Sequence, residues 1–359
     1  MKFFRFLKRH WVVLFVYPLV AALLFVGSCG LLNYLLVPAP NTSIVETVMS
    51  EAKRETENID ILFLGSSRTY RGVNAYDLSN NLGKNVFNIA YEGPSYLTSY
   101  YLLEEVCKKH QPEKVFIEVS TANFLRNKSS QDIYAYQTMT GKAKKDFLKN
   151  STLNYNNFHL LKFVNYMENF SNEKFIQNIE IKAQKNYFVE DSGKSEYYGK
   201  GFWAMNRDVS KKRPLVLPAS YGSLQKWEED AVSKVQFEYF EKILDFCQDR
   251  QIDVVLYNLP HPLSVTKEAE GAFSEFDLYV KTKLLRDGMK YIDFAKTKKS
   301  ITTFDERYFY NANHCNKKGA DALVPTLTSV INDLQNGVYD ATNYFYSTFE
   351  EMIEDYDGE

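Results

Sequence analysis

From Trp11 to Val37 the chain contains no Asp, Glu, Lys or Arg. As a helix rising 1.5 Å per residue, this run is about 40 Å long, against a bilayer hydrocarbon core of roughly 30 Å. Ser28 and Asn33 are its strongly polar interruptions, and Pro18 is tolerable in a spanning helix. A cleaved signal peptide would have an apolar core of only about 7–15 residues. Val26-Gly27-Ser28-Cys29 could pass for a lipoprotein cleavage site, but apolar sequence continues past Cys29 to Val37, which suits an intact anchor better. Lys2, Arg5, Lys8 and Arg9 precede the run, whereas Glu46, Glu51, Glu55 and Glu57 outnumber Lys53 and Arg54 beyond it. Positive charge stays on the cytoplasmic side. The expectation is a single-pass protein of the cell membrane, with residues 1–10 cytoplasmic, 11–37 spanning, and the bulk of the chain extracytoplasmic.

The remainder is long enough for one large domain or two small ones. With 43 basic and 45 acidic residues the net charge is -2, so no nucleic-acid footprint is present. Cys29 lies in the apolar run, which leaves Cys107, Cys247 and Cys315, a set without metal spacing and too small for a disulfide-built scaffold. No His/Cys/carboxylate cluster suggests a metal, and no phosphate- or dinucleotide-binding glycine loop suggests a cofactor. Some of the 26 Tyr and 26 Phe must lie on the surface, which is common where carbohydrate or lipid is handled, but a large core explains most of them equally well.

Beyond a polar linker (38–58), short Val/Ile/Leu-rich runs alternate with helical stretches. Strands are expected at Ile59–Leu64, Asn85–Ile89, Lys114–Val119, Ile252–Tyr257 and Met289–Ile292; helices are expected at Tyr96–His110, about Leu224–Arg250 and Phe276–Arg286. Such alternation indicates an α/β three-layer sandwich: a parallel five-stranded sheet, flavodoxin-like, covered by helices on both faces. Ligands bind such sheets outside the carboxyl ends of the strands. One domain therefore spans 59–334, interrupted at about 124–221 by a long aromatic insertion read as an acceptor-binding cap, with a helical piece at Phe158–Glu168. Residues 335–359 are acidic and are read as a solvated, frayed tail.

Three loops carry candidate chemistry. Gly65-Ser66-Ser67-Arg68 follows the first strand, and its second serine would project a hydroxyl above the sheet edge. Asn88-Ile89-Ala90-Tyr91-Glu92-Gly93 follows the second strand, where a glycine can offer an unobstructed N–H to an oxyanion. Asn311-Ala312-Asn313-His314-Cys315-Asn316 opens the last helix, with Asn316 as N-cap and His314 in an exposed loop before it. Of the five histidines, His10 lies on the cytoplasmic flank, His110 and His159 suit helix surfaces, and His261 competes with His314.

Together these motifs, in this order, resemble the SGNH (GDSL-like) hydrolase superfamily across about Ile59–Leu334 apart from the insertion. The resemblance implies Ser67 as nucleophile, His314 as its general base, and the backbone N–H groups of Ser67 and Gly93 as oxyanion donors. Asn123, in Ser120-Thr121-Ala122-Asn123, is the candidate for the Asn donor that members add after strand three. Relatives carry Asp three residues before the His; here that position is Asn311. Either Asn311 orients a Ser-His pair as an amide, or Asp305 or Asp293 supplies the acid, or the protein no longer catalyses.

An N-terminal anchor with this serine turn is similar to proteins that work beside membrane-bound O-acyltransferases, such as the D-alanine transfer protein of teichoic-acid modification and the alginate O-acetylation proteins. The implied activity is acyl transfer through Ser67 to hydroxyls of a cell-surface polysaccharide or polyol polymer, with no cofactor and with a membrane-bound O-acyltransferase as partner. An esterase using the same site and an inactive polymer-binding scaffold are the alternatives.

Overall fold

The computed structural model describes residues 10–38, 43–125, 131–151, 153, 159–169, 171–184, 195–207 and 227–358. The basic residues Lys2, Arg5, Lys8 and Arg9 and much of the insertion, including the start of the helix expected from Leu224, lie outside them. The chain forms two compact units, one of residues 1–42 and 153–188, the other of 43–152 and 189–359.

In the first unit, a π-helical turn at Val12–Val16 leads into helix α1 (Tyr17–Leu36), and Val12–Leu36 together make 25 continuous helical residues. Cys29 is buried midway along this continuous helix. Asn33 is not left bare: its Nδ2 donates to the Leu160 carbonyl at 3.2 Å and its Oδ1 accepts from Phe163 N–H at 2.9 Å. These partners belong to the 3₁₀ segment His159–Asn169, which realises the expected helical piece in a tighter form. From the following helix, Asn172–Gln184, Asn178 donates to the carbonyls of Leu35 (2.9 Å) and Val37 (3.1 Å), and Lys182 binds the carbonyls of Tyr34 and Val37. The last carbonyls of a helix have no partner within it and carry its negative dipole end, which is where an amide and an ammonium are most useful.

In the second unit, strands β1 (Ile61–Gly65), β2 (Val86–Ala90), β3 (Lys114–Glu118), β6 (Asp253–Asn258) and β7 (Lys290–Asp293) form one sheet in the order β2-β1-β3-β6-β7, every pairing parallel. The fold class expected from the alternation is the one observed. Ile61 and Phe63 of β1, Phe116 of β3 and Val255 and Tyr257 of β6 face a core completed by helix α4 (Ala75–Leu82) and helix α7 (Lys317–Asn336). Intervening strand residues such as Leu62, Leu64, Phe87 and Leu256 are equally buried, which is why each strand reads as an unbroken apolar run. Helix α2 (Ile44–Arg54) packs against β2, and helix α5 (Tyr96–Val106) against helix α6 (Lys234–Asp249), where the Tyr96 ring lies 5.2 Å from Phe240.

Three expectations are corrected. The polar linker contains α2, nucleated by a capping box in which Ser43 Oγ accepts from Glu46 N–H and donates back to the Glu46 carboxyl. Burial pushes that carboxyl's pKa up to about 7. His110 is buried rather than on a helix surface, with its Nε2 on the Ala52 carbonyl at the end of α2. The acidic tail is folded: α7 runs to Asn336, and helix α8 (Phe349–Asp357) buries Phe349 and Met352 beside Val265 and Phe273. Spacing at 349, 352, 353 and 356 is an apolar helical stripe that the acidic majority concealed.

The insertion also contributes an antiparallel hairpin, β4 (Ser195–Gly199) and β5 (Phe202–Met205). Gly201 has φ of 80°, and a side chain there would collide with the Asn88 carbonyl, so glycine is what lets the hairpin close on β2. Trp203 of β5 packs on Tyr70 and Ala90.

Candidate active site

β1 ends at Gly65, where an added Cβ would meet Thr69 Oγ1 at 2.1 Å and Glu118 Oε2 at 2.6 Å. Only glycine permits so sharp a turn from strand into helix α3 (Ser67–Gly72). Ser66 caps that helix, accepting from Arg68 N–H at 3.1 Å. Ser67, the first residue of α3, presents Oγ 2.7 Å from His314 Nε2. His314 Nδ1 in turn lies 3.0 Å from Asn311 Oδ1. That amide oxygen also accepts the backbone N–H groups of Asn313 and His314, each at 2.9 Å, which fixes it as the acceptor. Nδ1 therefore donates, Nε2 is left with its lone pair toward Ser67, and the imidazole has the tautomer that a base requires.

The loop bearing His314 is held from behind. Asn316 caps α7 through Gly319 N–H (3.0 Å) and ties back to the Arg307 carbonyl (2.8 Å), while Gly319 has no room for a side chain against the Tyr308 carbonyl. The exposure expected for His314 is corrected: it is 8% exposed, with the Tyr310 ring stacked on it at 5.3 Å. Burial, then the cations Arg71 and Arg68, push its pKa down to about 3. Neither alternative acid reaches it. Asp305 is bound by Arg307, and Asp293 is buried with Asn258 Nδ2 and Ala295 N–H, both at 3.0 Å. His261, the competitor, stacks on Phe273 at 4.8 Å and is buried, with its pKa held well below the ordinary range by desolvation first.

Two further residues hold this arrangement together: Glu118, which no motif contained, and Arg68, which the first motif contained without a role. Glu118, the last residue of β3, is fully buried; its carboxylate accepts Ser66 N–H (2.6 Å), Ser66 Oγ (2.9 Å) and Thr69 Oγ1 (2.6 Å). Arg68 lies 3.9 Å from it, and donates to Asn258 Oδ1 (2.9 Å) and to the Leu259 carbonyl. The turn bearing Ser67 is thus clamped by a buried carboxylate and a buried guanidinium. The signal was present, since Glu118 is the one charge inside the run Val115-Phe116-Ile117-Glu118-Val119.

The structure brings Ser67, His314 and Asn311 together. Gly93 stands in the turn after β2 with φ of 55°, a conformation that favours glycine. Asn123 donates to the Glu118 carbonyl at 3.3 Å and, with Gly65, Pro94 and Tyr96, lines a cavity of about 10 Å³, room for one water. Among the described residues no group of three or more His, Cys, Asp or Glu could hold a metal ion.

No protein-family model and no curated protein matches the chain. Solved structures that align with it include a GDSL-like lipase from Bacteroides thetaiotaomicron (9% identity, covering 81% of this chain and 98% of that one, TM-score 0.37). A lipase from a goat rumen metagenome aligns at 13% identity over 76% of this chain and 97% of that one, with a TM-score of 0.34. An acetyl xylan esterase from the rumen bacterium Butyrivibrio proteoclasticus aligns at 8% identity over 79% and 66%, with a TM-score of 0.31.

Proposed function

We propose that this chain is an SGNH-type serine acyltransferase, anchored by α1 and acting on hydroxyls of an extracytoplasmic polysaccharide or polyol polymer. The observation that carries this reading is the Ser67 Oγ–His314 Nε2 contact of 2.7 Å, with Nδ1 seated on Asn311. Ser67 attacks the acyl carbonyl carbon as its proton passes to His314 Nε2. The tetrahedral oxyanion is received by the backbone N–H groups of Ser67 and Gly93, with Asn123 as a further donor. The leaving group takes the proton from His314, and acyl-Ser67 remains. An acceptor hydroxyl then gives its proton to His314 and attacks the ester, which restores Ser67. Covalent catalysis divides one hard transfer into two easier ones. Tethering to the membrane raises the effective concentration near a membrane-bound O-acyltransferase that supplies the acyl group.

Supplying an activated acetyl ester to the full-length protein together with polyol and sugar acceptors tests this reading. An acylated acceptor product is expected; hydrolysis that no acceptor suppresses would make the protein an esterase. Absence of any acyl-Ser67 would leave the scaffold reading.

Retention of α1 is supported by the bonds that Asn33, Tyr34, Leu35 and Val37 make to residues 160–182. Removing residues 11–37 would take these partners from the Leu160 carbonyl, the Phe163 N–H, the Asn178 amide and the Lys182 ammonium. The purified protein is therefore expected to have an intact N-terminus, and protease added to spheroplasts should digest the large domain. A cleaved N-terminus, or a protected domain, would reject the anchor as drawn.

Asn311 makes the pH behaviour specific. A base whose pKa is lowered to about 3 stays neutral, and hence competent, until pH falls far below the ordinary histidine value of about 6.5. Ester hydrolysis should be flat from about pH 5 to 9, without an inflection near 6.5. Asn311→Asp adds a charge that stabilises the imidazolium and raises its pKa, so activity should begin to fall at a higher pH as the solution is acidified. Even one or two net kcal/mol on the transition state would speed acylation roughly 5- to 30-fold. A mutant no faster than wild type would mean that the amide already orients the ring as well as a carboxylate does.

A further inference from the structure

The 3₁₀ segment His159–Asn169, packed on α1, has three residues per turn, so its residues fall into three ridges at i and i+3. One ridge, Leu160, Phe163 and Tyr166, is half-buried to buried and lies where the bonds to Asn33 are made. A second register is polar by sequence: Lys162, Asn165 and Glu168. The third, beyond a kink at Leu161, is Val164 and Met167, which are apolar and stand 43% and 58% exposed. A segment that packed only against α1 needs one apolar ridge. This one carries two, and the second is turned outward.

The helix α1 sets the depth at which that ridge lies. Exposed aromatic residues stand near both ends of the apolar run, Trp11 beside the basic flank and Tyr34 at the other end. They are separated by about 35 Å at 1.5 Å per residue, between the roughly 30 Å of a hydrocarbon core and the roughly 40–45 Å that includes headgroups. Tryptophan and tyrosine gather at these two levels. Lys182 Nζ lies 5.2 Å from the Tyr34 ring centroid, which suits a cation held at the lipid surface. Asn33, next to Tyr34, is the residue that 160 and 163 bind. The segment therefore meets α1 at the outer headgroup level, where Leu31, Leu32 and Tyr34 remain exposed on the rest of the helix.

We propose that residues 159–169 form an interfacial collar, in which Val164 and Met167 insert into the outer leaflet and contact the same lipid that surrounds α1. The proposal rests on α1 crossing the membrane, and it gives this part of the insertion a membrane-docking role in place of acceptor binding. A 3₁₀ segment keeps its backbone hydrogen bonds internal, which the edge of the hydrocarbon requires. Residues 159–184 carry Lys162, Lys174 and Lys182 against Glu168, Glu173 and Glu180, so the attraction is apolar rather than a response to anionic lipid.

The test places nitroxide labels on single introduced cysteines of the full-length protein in phosphatidylcholine nanodiscs. Cys107, the half-exposed native thiol, is first replaced by Ala. The labelled positions are Val164→Cys, Met167→Cys, Leu24→Cys on α1 and Glu350→Cys on α8, all exposed in the wild type. Collisions with oxygen, which concentrates in lipid, and with a nickel chelate, which stays in water, give the depth of each label. Labels at 164 and 167 are expected about 5–10 Å below the headgroup surface, with 24 deep in the core and 350 in water. Adding phosphatidylglycerol should leave those depths unchanged. Nickel-accessible labels at 164 and 167, with 24 still deep, would overturn the collar and keep the anchor. Labels sealed from both reagents would overturn it too, because a second copy of the chain would then cover the ridge. Lipid-depth labels at 164 and 167 with 24 in water would keep the collar and reject the anchor.

Discussion

Ser67→Ala should abolish labelling by a fluorophosphonate probe and lower turnover of an activated ester by about 10⁶-fold, the scale seen when a serine nucleophile is removed from a working triad. The expectation follows from geometry: one hydroxyl, on the first residue of α3, stands 2.7 Å from an imidazole nitrogen whose tautomer is fixed from the other side. His314→Ala should lose nearly as much, and the double mutant little more, because nucleophile and base act as one unit. Ser66→Ala supplies the control. Its hydroxyl caps α3 and bonds to Glu118, so its loss should destabilise the fold by about 1 kcal/mol while labelling persists. Undiminished labelling of Ser67→Ala would mean that the reactive serine lies elsewhere.

The second large effect is on stability. Glu118→Ala would leave Arg68 buried without its carboxylate, and would strip acceptors from Ser66 N–H, Ser66 Oγ and Thr69 Oγ1 together. Removing one partner of a buried charge pair costs about 3–5 kcal/mol. At a few degrees per kcal/mol, the melting temperature should fall by roughly 10 °C. Replacing both charges, as in Glu118→Gln with Arg68→Met, should be less damaging than the two single losses added together, since neither partner is then stranded. Salt should change the melting temperature of wild type little through this pair, because buried charges are poorly screened. A Glu118→Ala protein within 1 kcal/mol of wild type would show that the clamp is dispensable.

The sheet was legible because parallel strands buried on both faces leave contiguous apolar runs, and all five sit within a few residues of their expected positions. Ser67, His314 and Asn311 were legible because each stands at a strand exit or a helix entry, where glycine, cap residues and chain direction restrict geometry strongly. What escaped were contacts between distant segments. Nothing local announces that Glu118 of β3 bonds to the turn after β1. Helices α2 and α8 escaped for a different reason. Their apolar stripes are short and diluted by Glu and Asp, so composition suggested linker and tail where spacing at three and four residues carried the signal.

Ser67 and His314 are 247 positions apart in the chain, with His314 just ahead of the last long helix. A ribosome delivers Ser67 early and its base late, and the imidazole is correctly held only once α7 has been capped by Asn316 and has docked. Throughout synthesis, then, the growing chain carries a serine that is chemically ordinary. A chain that stops short of His314 cannot form the 2.7 Å contact, so Ser67 meets its imidazole only when nearly the whole chain is in place.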